Sequence, residues 1–430
     1  MSSEALIPAN SMSASDSGDG EPKRLFYLDW LRVLLIVGVF TFHALHPFDA
    51  LLDWHIKNPE RSGAVTAILL LINPWGMSLF FLVAGVASKF ALRRRSNRQY
   101  VGERVTRLLI PFLVGSILLT PPQLYLEAVH KGSFGGSFLS FIPELLASIA
   151  SAKWLTPHIF VTLGVHLWFL GFLFLASLLA LPVFRWFQGD AGKSLIAWLA
   201  RLVDRRGGML LFILPLMLAR VLIQPFDRPQ AHGWLDFVFY SLFFISGYII
   251  YSDDRFQSAI RKDGWLMFGS GMVGLALYFG IAAAYGDQAF EWAATFVMPW
   301  SIFLILSFTL MAWGWALAVL SLAMRYLGFS NRWLEYGNDT IMPFYLLHQP
   351  VIIVIAFFVV QWAAGIPVKL LVVVISSFLI TLGLVELLIR PFKPMRMLFG
   401  MKPRRRNKLK DETAENVANP KEEKNGTEGN

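Results

Sequence analysis

The stretch Leu28–Phe48, "LDWLRVLLIVGVFTFHALHPF", is apolar and long enough to cross a bilayer, yet it carries Arg32 near one end and His43 near the other. Ionisable side chains in such a run are costly and require a reason. His43 follows Arg32 by 11 positions. At 100° per residue that is about three turns plus 20°, so the two share one helix face about 16 Å apart. Asp29, three residues before Arg32, is placed to pair with it. The plain alternative is an Arg32 that snorkels to the interface and a His43 that only bonds a neighbouring helix.

The rest of the chain extends this reading. Of 430 residues, 56% are hydrophobic and 16% charged, against about 45–50% and 25% in soluble domains. Mean hydropathy is +0.54. The fold class is therefore all-α, a polytopic membrane protein with about ten transmembrane helices, read at 27–47, 67–91, 105–125, 159–184, 209–225, 234–252, 264–285, 295–323, 340–362 and 367–389. Residues 1–24 read as a disordered cytoplasmic tail, 25–392 as the membrane domain and 393–430 as a basic, then polar, cytoplasmic tail. With the N-terminus inside, 28 Lys and Arg residues fall in inner segments and 6 in outer loops, which predicts both termini inside. The segment 126–158 is the largest outer one and contains a candidate interfacial helix. Absence of cysteine removes disulfides and acyl-cysteine chemistry. The basic residues flank helices and form no domain face for nucleic acid.

Other polar residues inside apolar runs mark candidate site positions. In "RRRSNRQYVGERVTRLLIPF", Arg104 and Arg107 stand at i, i+3, and Arg107 lies inside the apolar run; paired guanidiniums suit phosphates. The arginines at 93–95 and 98 read as a positive-inside anchor. "VHLWFLGFLFL" places His166 and Trp168 early in the fourth span, and "MPFYLLHQP" places Tyr345 and His348 between Pro343 and Pro350, where a kinked helix opens backbone groups. Glu386 reads as an ion pair with Arg390, and His46 and His130 as loop or interface residues. No phosphate loop, helical His-Glu-x-x-His or nucleophile elbow is present, and no metal site is expected.

At these residues the chain resembles the acyltransferase 3 family of integral-membrane acyltransferases. Arg32 and His43 look like that family's R-x10-H motif, "RVTR" (Arg104 to Arg107) like its RxxR motif, and "HLWFL" and "FYLLHQP" like landmarks of its fourth and ninth spans. The run "LLIPFLVGSILLTPPQLYLE" and the ending "ELLIRPFKPMRMLFGMK" are similar to the branch that modifies periplasmic glucans, often by succinylation. Two departures concern the acceptor: "FFLVAGVAS" has Ala84 where many members have serine, and "GNDTIMPFYLLH" lacks a common Ser-Tyr pair.

The resemblance implies a bacterial inner-membrane O-acyltransferase. Acyl-CoA, a co-substrate, would dock from the cytoplasm on Arg104 and Arg107, with Arg32 further in. His43 would act as general base on a carbohydrate hydroxyl from the extracytoplasmic side, or form an acyl-histidine. Asp29, His166, Trp168, Tyr345 and His348 would line the site. No tightly bound cofactor, metal or nucleic acid is expected; the bilayer is the remaining partner. The competing function is a transporter or exporter of an envelope sugar or lipid precursor, although the paired, interrupted half-repeats of many transporters are missing.

Overall fold

The computed structural model describes residues 24–402, apart from 51–52, 153, 228–231, 287, 289–295 and 297–298. Most of both expected tails, at 1–23 and 403–430, lies outside the described residues. Every regular element among the described residues is helical. In chain order these are α1 Phe26–Leu45, α2 Gly63–Leu92, α3 Asn97–Leu118, α4 Thr120–His130, α5 Phe138–Ala150, α6 Ile159–Leu179, α7 Leu181–Gln188 and α8 Asp190–Val203. They continue as α9 Gly208–Ile223, α10 Trp234–Ile250, α11 Asp254–Lys262, α12 Gly264–Tyr285, α13 Trp300–Tyr326, α14 Arg332–Val359, α15 Ile366–Ile389 and α16 Lys393–Leu398.

Among the described residues seven helices are long and apolar enough to cross a membrane: α1, α2, α6, α12, α13, α14 and α15. The count rises to nine if two bent pairs each form one span, α3 with α4 at 41° and α10 with α11 at 106°. The expected count of about ten would need α9 as well, and α9 alone is shorter than a bilayer core of about 30 Å. Bends explain the uncertainty in the count. Prolines at 121 and 122 open α4, and Asp253 caps α11 by accepting from the Arg255 amide at 3.1 Å, turning the chain along the bundle end. In the 126–158 segment, α5 is a short amphipathic helix that buries Phe141 and Leu145 while Leu139 and Leu146 stay exposed.

Helix α1 packs on α2, α13, α14 and α15, so the opening stretch lies against four others. Helix α2 crosses α10 at a close approach of small residues. A Cβ on Gly85 would fall 1.9 Å from the Phe244 carbonyl oxygen, and one on Gly247 1.9 Å from that of Leu82. Only glycine permits this contact, which holds α2 close against α10.

Candidate active site

Two cavities flank α1. The smaller, about 290 Å³, lies at the Arg32 end. Arg24 and Arg32 from the start of α1, Arg104 and Arg107 from α3, and Lys402 from the segment after α16 line it together. Thus part of the expected tail, residues 393–402, forms a short helix and a cavity wall. The RxxR segment is not a plain α-helix: Val105–Leu109 forms a π-turn, closed by the Ile110 amide donating to the Val105 carbonyl. Single π-turns of this kind recur at functional sites. Both arginines still face the cavity.

Each cation there is held differently. Arg32 Nη1 donates to Asp29 Oδ1 at 3.3 Å, and Arg24 Nε donates to the other oxygen at 2.8 Å. Arg104 donates to Ser88 Oγ at 2.9 Å and lies over the Tyr100 ring. Arg107 sits 3.4 Å from Glu103 and is 40% exposed. Burial pushes the Lys402 ammonium below the ordinary lysine range, and Arg107 adds repulsion while Asp29 pulls the other way. Glu386 forms the expected pair with Arg390 at 3.0 Å and also accepts from the Tyr336 hydroxyl at 2.8 Å. It is therefore engaged away from the cavity.

The larger cavity, about 810 Å³, receives His43 and His46 from the other end of α1. Arg32 and His43 consequently open into different cavities, so the single stripe read from helical phase is divided. Phe80 of α2 borders both spaces and forms part of the partition. Trp168 lines the larger cavity, while Tyr345 lines the smaller.

From the wall of the larger cavity inward, four imidazoles follow one another. Ring centroids are 6.0 Å apart for His46 and His43, 5.3 Å for His43 and His348, and 5.2 Å for His348 and His166. The sequence of α14 explains two of their orientations. Pro350 has no N–H, so the Leu346 carbonyl four residues earlier lacks its helical donor. His166 Nε2 donates to that oxygen at 3.1 Å. In return the Tyr345 hydroxyl donates to the His166 carbonyl at 2.6 Å. His166 follows Val165, whose φ of +50° is strained for a β-branched residue. His348 Nδ1 donates to the Tyr345 carbonyl at 2.6 Å, leaving Nε2 as the acceptor in the neutral ring. That Nε2, His43 Nδ1 and His166 Nδ1 are shielded and have no hydrogen-bond partner.

His46 corrects the reading of it as a loop or interface residue: it is 5% exposed. Its Nδ1 lies 3.0 Å from Asp49 Oδ2, and Lys57 Nζ donates to the same oxygen at 2.7 Å. Burial pushes the Lys57 ammonium down, and its bond to Asp49 opposes the shift. The i, i+3 spacing in "HPFD" was the available signal for this dyad. His130 ends α4 and accepts from the Lys57 amide at 3.0 Å. Among the described residues no group of three His, Asp or Glu side chains is arranged to hold a metal.

Such a layout can hold an anion at one end and handle protons beside a large cavity at the other. The profile of the family described as "Acyltransferase domain" matches residues 25–388. Proteins named Glucans biosynthesis protein C from Salmonella paratyphi B and Salmonella dublin are each 24% identical over 394 residues, covering 88% of this chain and 95% of theirs. The protein of that name from Salmonella agona is 24% identical over 396 residues, with the same coverage. No solved structure matches the chain. The matched segment takes in the histidine row, most of the lining of the basic cavity and all but the last residue of α15, and the chain belongs to the acyltransferase 3 family as a multi-pass membrane acyltransferase.

Proposed function

We propose that this protein moves an acetyl or succinyl group from cytoplasmic acyl-CoA to a hydroxyl of a cell-envelope carbohydrate on the far side of the bacterial inner membrane. The carrying observation is that Phe80 borders both the basic cavity and the cavity holding His43. Loop charge supports the orientation: with 28 basic residues on one side against 6 on the other, the Arg32 end is inside. The name of the Salmonella relatives supports a glucan acceptor.

In this reading Arg104 and Arg107 hold the CoA phosphates, with Arg32 and Asp29 at the entry to the membrane. The acyl thioester reaches past Phe80 toward His43. His43 takes the proton of the acceptor hydroxyl while the oxygen attacks the thioester carbonyl. Collapse of the tetrahedral adduct breaks the C–S bond, and His43 returns the proton to the departing thiolate. The products are the ester and free CoA. His166, Tyr345 and His348 fix the wall behind His43, and Trp168 lines the acceptor side.

The test uses inside-out membrane vesicles loaded with envelope glucan and given acyl-labelled acetyl- or succinyl-CoA from outside. Alkali-labile ester label on the glucan supports the reading. Label carried across the vesicle without covalent transfer would instead establish transport. Label retained on the protein before acceptor is added would convert the direct step into an acyl-histidine route.

A further inference from the structure

We infer that Arg220 forms a second anion subsite within the cavity that holds His43, taking a carboxylate or phosphate group carried by a substrate. Arg220 lies near the end of α9 and lines the larger cavity. Its guanidinium carbon sits 4.9 Å from the Phe239 ring centroid and 4.4 Å from that of Phe308. These rings, from α10 and α13, lie beneath the guanidinium carbon and offer its N–H groups no conventional hydrogen-bond acceptor. Nε and Nη1 are shielded and have no hydrogen-bond partner, while the residue itself lines the cavity.

The carboxylates that line this cavity are engaged elsewhere. Asp236 Oδ2 accepts from the His232 amide at 2.9 Å and lies 3.6 Å from its ring Nδ1, and Asp53 pairs with Lys131 at 3.1 Å. Arg32 and Arg107, the other arginines within apolar runs, each have a carboxylate of their own. Arg220 makes no direct ion pair among the described residues, and the Asp236 carboxylate acts on it only from a distance. A cation in a largely apolar cavity without a paired counter-charge is costly, and a ligand bearing an anionic group lowers that cost. The surroundings suit a small oxyanion attached to a larger polar body: Tyr240, Trp168 and His232 line the same space. His232 stacks on Trp168 with centroids 3.9 Å apart.

The anionic group has two chemical sources, the free carboxylate of a dicarboxylic acyl chain or an acidic substituent on the acceptor. This assignment of source rests on the acyl-transfer reading above; binding of the anion does not. The experiment compares wild type with Arg220→Gln and Arg220→Lys in nanodiscs, using succinyl- and acetyl-CoA as donors and neutral or phosphate-substituted glucans as acceptors. If the acyl carboxylate is the ligand, Arg220→Gln lowers the kcat/KM ratio of succinyl- over acetyl-CoA by roughly tenfold or more. If the acceptor supplies it, the ratio of charged over neutral acceptor falls by a similar factor and the donor ratio holds. Arg220→Lys should restore part of whichever ratio moves. Equal losses for every pair in a variant that still accumulates would overturn the proposal, because they indicate a packing role. If wild type transfers nothing, the acyl-transfer reading fails, and thermal stability decides this one. Succinate or glycerol phosphate should raise the melting temperature of wild type and not of Arg220→Gln; no difference between the two proteins would sink it.

Discussion

The two cavities beside α1 solve opposite problems. The basic cavity gathers five cations at the bundle end, and its arginines are partly exposed: Arg32 is 38% and Arg107 40% exposed. Arg32 and Arg107 already lean on carboxylates that a polyanionic ligand can outcompete. Interactions there are screened and exchangeable, which suits a substrate that must come and go. The histidine row is shielded, and its order comes from backbone: a carbonyl freed by Pro350, a second carbonyl at Tyr345, and a strained turn at Val165. Contacts among such buried groups are stronger and less forgiving. Substitutions at the basic end should therefore alter affinity, and those at the histidine end turnover.

The largest expected effect is at His43. His43→Ala should cut transfer by about 10³-fold, in the range of a lost acid–base group, while acyl-CoA affinity and membrane accumulation hold. Direct binding of labelled acyl-CoA to the purified variant checks the second half; a matching loss of affinity would erase the division between the cavities. Next is the Asp49–His46 dyad. Asp49→Asn removes the carboxylate charge that His46 and Lys57 share and leaves Lys57 without its counter-charge. It should lower kcat by about 10- to 100-fold with little change in KM for acyl-CoA. Unchanged kcat would make the dyad a support for the loop only.

What could be read in the sequence follows from how local each constraint is. Arg32, His43 and the RxxR pair stand out because ionisable groups in apolar runs are conspicuous, and helical phase alone relates Arg32 to His43. Phase did not reveal that Phe80, 37 positions beyond His43, helps divide the space between them. Pro350 announced a freed carbonyl, but the donor, His166, lies 180 positions away. His46 sits beside a proline at a helix end, and its burial depends on Lys57 folding back from the next loop. Arg220 is one cation near the end of an apolar run and carries no pattern by itself; its meaning comes from two phenylalanines on other helices. The span count failed to close for a related reason. Hydropathy does not register the 41° and 106° bends that decide which helices form one crossing.

At the basic end the effects should be smaller and of the other kind. Arg107→Ala should raise KM for acyl-CoA by about tenfold and leave kcat within roughly twofold, because charged hydrogen bonds to phosphate contribute on the order of 1.5–3 kcal/mol and Glu103 already offsets part of the charge. Steady-state kinetics at two ionic strengths checks this, with the larger effect at low salt. A fall in kcat alone would move Arg107 out of the donor site.

Lys402 carries the smallest and most diagnostic expectation. Burial and the neighbouring guanidiniums lower its pKa from 10.5, so its charge is lost as pH rises through a value below that of a free lysine. The arginines remain charged throughout this range. KM for acyl-CoA should therefore rise by about two- to threefold on the alkaline side, before ordinary lysines titrate, and kcat should not follow it. Lys402→Met should show the raised KM at every pH, with the alkaline step removed. A step that persists in that variant would place the titrating group elsewhere. A step in kcat would show that charge at the basic end reaches the histidine row, and the functional separation of the two cavities would then be incomplete.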